Sequence, residues 1–576
     1  MASEKLRERF DELERLAKAA GLKPYDVHFL EVPTSIITEV ASYGLPTRYS
    51  HWAHGKFWTY QNNQSEMGFS KIYELILNND PSYAFLDNSN TDTANLMICV
   101  HCLAHSSFFA NNIMFRNADE QNMIQVAKQH ADIVDEYRKE YGDDAVDDWL
   151  DAVLAIEHHI DVYKKLKRSR YPKHHIAYKE RKANEWEDLV PNQEPLVKRV
   201  VEGHHIPPSP EKDLLWFLGE YAPLEDWQKH IIEIVRRESY YFFAQYRTKI
   251  ANEGCASYFH AELMHQYFLG NDNDYGVKDI KYPLTSEEHL DFLTLHEKVV
   301  QPGLKMHLKV EQPEYDHNGR PTGRKIKDWH PSIKANPNLF HYATRLNPYY
   351  VGFRLLRDIK ERWDKYFEVG HYEDEWGKKI PVTVNGAQKV LQVIDEEDDV
   401  SLFRKYLTEK LCDELHLFAY GSPDEYKDDY KIQEDIAKRV DKSGDRDLGS
   451  HTIDEQLVIN KTTQVRAKNV KDVVNAMARS RNNYGVPLIV VRRVDSDGTL
   501  RLEHLRDDAT NVDIKYGEQT LGYIFKIWGR PVELIRKEEG HTHYMRYDSS
   551  GFTIDHATAD WPESIENVDA LCLAGK

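Results

Sequence analysis

Two histidines, His101 and His105, lie four residues apart in an apolar run, NTDTANLMICVHCLAHSSFFANN, that reads as a helix. On a helix this spacing puts both imidazoles on one face, near enough to share a metal ion. The chain has 28 histidines in 576 residues, and chance supplies about 1.4 pairs at this spacing. The pair alone is therefore read first as two packed or hydrogen-bonded core histidines. Glu262 and His265 form an E-x-x-H of the kind found in di-iron carboxylate bundles. Such bundles need two copies, and the helical part holds no second one. No G-x-S-x-G elbow or Walker-type glycine loop is present.

A second segment gives the histidine pair its meaning. Asn252-Glu253-Gly254-Cys255-Ala256 resembles the N-E-G-x-A segment of gluzincin metallopeptidases, whose Glu is the third zinc ligand. The resemblance implies a site of His101, His105 and Glu253 for zinc or another divalent metal, with Gly254 and Ala256 small enough to let two helices approach. Ligand geometry then predicts that the three side-chain heads lie within about 4 Å of one another. Gluzincins carry H-E-x-x-H, with the Glu as general base, whereas Cys102 holds that position here. A thiol does not replace a carboxylate base, so the base must come from elsewhere. Glu238, Glu157 and Glu262 lie in helical stretches, and Glu238 is favoured because the aromatic run Tyr240–Phe243 follows it. For Glu238 to serve, the chain must bend between Gln245 and Gly254, since an unbroken helix would hold it about 22 Å from Glu253. His260, two helical turns beyond Glu253, is a fourth ligand, a partner to a ligand, or a substrate hydrogen-bond donor; a satisfied core histidine is an equal alternative.

The elements that must position these groups are mostly helical. The first, EKLRERFDELERLAKAA, carries Leu6, Phe10, Leu13 and Leu16 on one stripe. GFSKIYELILNN is expected to be helical and to stop before Asp80-Pro81. Further helices are expected over NMIQVAKQHADIVDEYRKEYG, AVDDWLDAVLAIEHHIDVYKKLK, EKDLLWFLGEYA and YYVGFRLLRDIKERWDKYF. The stretch from Glu225 to Gly270 is too long for one helix and is expected to break near Asn252–Gly254. Residues 312–338, polar and rich in Pro, Gly and Asn, read as a long loop. From about 460 onward an α-β-β-α-β-β order suggests a two-layer module.

The expected architecture is therefore α+β. A large, mainly helical domain spans 1–395, a charged and partly helical connector spans 396–458, and a small α/β domain spans 459–576. Composition agrees with a folded chain: 41% hydrophobic, 11% aromatic. A net charge of −20 disfavours a nucleic-acid-coating protein, because phosphate binding needs concentrated Lys and Arg. No apolar run of eighteen or more residues and no secretion-type leader is seen, so neither a membrane span nor export is expected. Five scattered cysteines suit a reducing cytoplasm better than a disulfide framework.

Several segments in consistent order resemble the SpoVR-like family (stage V sporulation protein R). They are ASYG from Ala41 with RYSHW from Arg48, GFSKIYEL from Gly68, and NNDPSY from Asn78. His101-x3-His105 with FFANN, Trp216-Phe-Leu, the stretch from Glu238 to His260, LNPYYVGF from Leu346 and IWGRPV from Ile527 complete the series. Two positions depart from the family pattern: Ser107 replaces an expected acidic residue, and Cys255 replaces an expected Trp. The resemblance implies a link to sporulation or stress, with a serine protein kinase and a von Willebrand factor A-type protein as candidate partners. Combined with the metal-site motif, it leads to the expectation of a metal-dependent hydrolase of a peptide or amide bond. The alternative is a scaffold or regulatory protein with a structural metal.

Overall fold

Leu6, Leu13 and Leu16 are buried along one stripe of the Glu4–Ala19 helix, as their spacing requires. The structure is a computed structural model. It describes residues 4–46, 48–56, 74–116, 122–171, 206–300, 309–315, 321–329, 347–374, 376–415, 417, 470–495, 497–505, 512–538 and 541–555. The architecture is α+β, with long helices and four small sheets among the described residues. The chain divides into two compact units, each assembled from two stretches of sequence: 1–131 with 244–482, and 132–243 with 483–576. The boundaries at 395 and 458 drew contiguous blocks instead. Of the connector, residues 399–414 carry the helices Asp399–Tyr406 and Glu409–Glu414, and 418–458 lie outside the described residues.

In the first unit the Asp92–Asn111 helix is buried almost along its whole length. It starts where the Thr91 side chain accepts the Ala94 N–H at 3.2 Å, an N-cap that replaces a missing helical partner. It passes the length and composition test for a membrane span, yet 94% of the stretch tested is buried inside the chain, so it serves as the core helix of this unit. The Lys249–Leu269 helix packs against it, and the Pro348–Val369 helix packs against Lys249–Leu269. A three-stranded sheet completes this end, with Ser82–Asp87 in the centre, Val27–Val32 parallel to it and Glu74–Leu77 antiparallel.

In the second unit a five-stranded sheet runs in the order Gly551–Asp555, His541–Asp548, Val532–Glu538, Leu500–His504, Ile489–Val494. The Ile514–Trp528 helix packs on it. The Trp528 indole N–H donates to the Gly498 carbonyl at 2.8 Å, tying the end of that helix to the turn before Leu500. The expected order of elements is present with one more strand, Gly551–Asp555, while the Val470–Arg481 helix groups with the first unit.

Four local expectations are corrected. Glu74–Leu77 is a strand rather than the end of a helix, because its Leu-Ile-Leu run pairs with Ser82–Asp87 across the turn at Asn78–Pro81; residues 57–73 lie outside the described residues. The helix expected through Lys167 ends at Leu154, beyond which the chain forms turns. Within 312–338, Lys309–Tyr315 and Pro321–Trp329 pair as antiparallel strands. The break in the long helical stretch falls at Thr248, whose φ of −116° and ψ of 16° leave the helical region, rather than at Asn252–Gly254.

Candidate metal centre

His101 and His105 project from one face of the Asp92–Asn111 helix toward Glu253, which sits in the second turn of the Lys249–Leu269 helix. On the same turn Gly254 faces Gly352, which brings the Pro348–Val369 helix close against the glutamate helix. A Cβ built on Gly254 would lie 2.7 Å from the Gly352 backbone, nearer than carbon atoms can stand. The three side chains are buried, and their ligand atoms all lie within 4.8 Å of one another.

Glu253 Oε2 is 3.4 Å from His105 Nε2 and 3.7 Å from His101 Nε2. Both distances exceed those of ordinary N–H···O bonds, and this buried oxygen has no hydrogen-bond partner. Two ligand atoms bound at 2.0–2.1 Å to one tetrahedral ion stand roughly 3.3 Å apart. The two Glu253 distances are near that value, while the group as a whole spreads to 4.8 Å rather than the expected ~4 Å; the three side chains could hold a metal ion. The other oxygen, Oε1, accepts a hydrogen bond from Lys249 Nζ at 2.6 Å. Burial alone would raise the Glu253 carboxyl, but the Lys249 ammonium and the two imidazoles outweigh it and hold the group well below the ordinary carboxylate range. Glu253 is therefore ionised, the state a ligand needs.

The histidines are oriented from behind. His105 Nδ1–H donates to Asn252 Oδ1 at 2.8 Å, which leaves the Nε2 lone pair directed at Glu253. His101 Nδ1 is 2.8 Å from His260 Nδ1, and His260 Nε2 is 2.7 Å from His296 Nδ1. Both ring nitrogens of His260 are engaged, so it meets His101 from behind instead of facing the space between the three heads. Burial, followed by the His101, His296 and His105 imidazoles, holds His260 well below the ordinary histidine value. His296 is pushed down to about 4 by burial, with His101 and Arg357 adding to it. The Tyr349 ring lies stacked over His101, centroids 6.1 Å apart. Asp399 accepts the N–H groups of Ile250 and Ala251 at 2.8–3.0 Å and so fixes the first turn of the glutamate helix.

The remaining sequence candidates lie elsewhere. Glu238 is buried on the Asp226–Arg247 helix, within the unit that does not contain the histidines and Glu253; Glu157 belongs to that unit too. Glu262 accepts hydrogen bonds from Tyr275 at 3.2 Å and Gln266 at 3.3 Å. Cys102 and Cys255 are fully buried in the apolar core, and burial pushes the Cys255 thiol up, away from thiolate reactivity. Among the described residues, no other group of three His, Cys, Asp or Glu side chains converges as His101, His105 and Glu253 do. Asn252, Lys249, His296 and Asp399 were not singled out on sequence. Asn252 was visible inside the N-E-G-x-A segment, whereas His296 and Asp399 have no local signal.

A family model described as SpoVR like protein matches residues 1–446. An Escherichia coli (strain K12) protein, described as "Uncharacterized protein YcgB", is 28% identical over 443 residues, covering 72% of this chain and 74% of its own. No solved structure matches the chain.

Proposed function

We propose that this chain, which belongs to the SpoVR-like protein family, is a metal-dependent hydrolase acting on a peptide or amide bond. The observation that carries the reading is the spacing of Glu253 Oε2 from two imidazole Nε2 atoms, 3.4 and 3.7 Å, around a buried oxygen with no hydrogen bond of its own. His101, His105 and Glu253 would hold the ion, zinc being the divalent metal that two imidazoles and a glutamate hold in gluzincins. A metal bound there supplies Lewis acidity and a water of lowered pKa. Among the described residues three protein ligands converge, which leaves a position open and favours catalysis over a purely structural metal. The ligand set is gluzincin-like: an i, i+4 histidine pair with a glutamate from a separate helix. Lys249 keeps Glu253 ionised, and Asn252 and His260 hold the imidazoles.

Elemental analysis of protein purified without added metal tests the reading, alongside cleavage of a mixed peptide library. About one equivalent of divalent metal is expected, lost in Glu253→Gln and in His101→Ala, with metal-dependent cleavage by the wild type only. Metal-free protein that takes up none on incubation would overturn the metal site. Metal retention without cleavage would favour the scaffold. Family membership makes a serine protein kinase and a von Willebrand factor A-type protein the partners to test by co-purification. The four described cysteines are buried and unbridged, which supports a reducing, cytoplasmic setting.

A further inference from the structure

Behind His101 stands a line of three imidazoles supplied by three helices: Asp92–Asn111 gives His101, Lys249–Leu269 gives His260, and Ser286–Val299 gives His296. Two N···N contacts join them, His101 Nδ1 to His260 Nδ1 at 2.8 Å and His260 Nε2 to His296 Nδ1 at 2.7 Å. At these lengths each contact holds one proton between two nitrogens. For three neutral rings only two orders satisfy both contacts. In one, His101 Nδ1–H donates to His260 Nδ1 and His260 Nε2–H donates to His296 Nδ1, leaving the His101 Nε2 lone pair directed toward Glu253. In the other, His296 Nδ1–H donates to His260 Nε2 and His260 Nδ1–H donates to His101 Nδ1. His101 then carries its proton on Nε2, where it faces Glu253 Oε2.

The geometry points to His296 as the far anchor of a tautomer switch, in which a metal ion at His101, His105 and Glu253 forces the whole line into the first order. The inference rests on the metal-site reading above, because only the first order gives His101 a lone pair on Nε2. Protons balance through the change. His101 Nε2–H passes to water, the two contact protons each cross their own contact toward His101, and His296 Nε2 takes a proton from water. Every ring stays neutral. His296 is half-buried and is held by ring contacts to Phe292 and Phe353, so it is an acceptor of fixed position. It is a positioning residue: it touches no ligand head, yet it decides whether His260 can accept from His101.

Zinc affinity measured by competition with a chromophoric chelator, on the full chain, tests this. His296→Phe keeps the ring contacts and removes the acceptor, and should weaken zinc binding about 10–100-fold, as loss of a partner behind a ligand does. His296→Gln, whose amide oxygen can accept from His260 Nε2–H, should restore most of it. In wild-type protein carrying ¹⁵N-labelled histidine, zinc should move the His260 proton from Nδ1 to Nε2. That readout needs no variant to fold. Wild type that binds no zinc would sink the metal site and the switch with it. Wild type that binds zinc while His296→Phe binds within twofold, or while the His260 tautomer stays unchanged, would overturn the switch alone.

Discussion

At the scale of single residues, the site is two imidazoles and a carboxylate, each fixed by a neighbour behind it. The His105–Asn252 bond is the simplest to probe, since the Asn252 oxygen sets which His105 nitrogen carries the proton. Asn252→Ala should weaken zinc binding about 10–100-fold without lowering the thermal midpoint by more than a few degrees. Asn252→Asp, a stronger acceptor in the same place, should bind zinc at least as well as wild type. Chelator competition reads both. The three converging residues were legible in sequence because their signal is local: a spacing of four for the histidines, and a four-residue motif for Glu253. The partners of those ligands were not. His101 and His260 are 159 residues apart, and a histidine such as His296, on a half-exposed helix with ordinary neighbours, looks like any other.

At the scale of elements, the start of the glutamate helix depends on a group 149 residues away, Asp399, which accepts the Ile250 and Ala251 N–H groups. Burial lifts this carboxyl to about 7, against two backbone donors and Arg481 that pull it down. Its folded value lies above the unfolded one of about 4. Between those values the folded chain holds a proton that the unfolded chain has released. The contribution of Asp399 to stability is therefore full below about pH 4, declines as pH rises to about 7, and is flat beyond. Urea unfolding across pH 5–8 should show this decline, and Asp399→Asn, which keeps an acceptor but cannot ionise, should flatten it; an unchanged slope in the variant would count against Asp399 as its source. The helix over Pro348–Val369 was legible because 3.6-residue periodicity marks it, and the one over Asp92–Asn111 because its apolar run is too long for a strand. The strand pair Lys309–Tyr315 and Pro321–Trp329 was not, because its polar residues and prolines carry loop composition while pairing depends on register.

At the scale of the whole molecule, linear composition drew contiguous blocks where the fold interleaves them. The sheet of the second unit is joined to chain nearly 300 residues earlier: Glu211 and Val491 exchange both backbone hydrogen bonds, at 2.7 and 2.9 Å. The Val494 N–H donates to the Ile206 carbonyl at 2.9 Å, and the Trp528 ring stacks on Phe217. A fragment of residues 459–576 alone would expose that edge and that indole face. It should melt without a cooperative transition, whereas co-expression with residues 132–243 should restore one. Calorimetry of both samples decides this, and a sharp transition from the short fragment alone would show that it carries its own core.

The meeting of Gly254 with Gly352 has a consequence for how this sequence can vary. Replacing either by Ala in an isolated helix would gain about 1 kcal/mol in propensity, but here a Cβ on Gly254 meets the Gly352 backbone at 2.7 Å and one on Gly352 meets the Ile250 carbonyl and Gly254 Cα. Overpacking of this sort costs typically 1–3 kcal/mol, and it also shifts the helix turn that carries Glu253, so Gly254→Ala should lose both thermal midpoint and zinc. The obstacle on each side is main chain, which no substitution removes. Compensation is therefore closed off: the double variant is worse than either single one, and no second-site change at the partner rescues the first. Two positions 98 residues apart thus act as one inherited character, free to be lost together with the site but not to drift separately while it is kept.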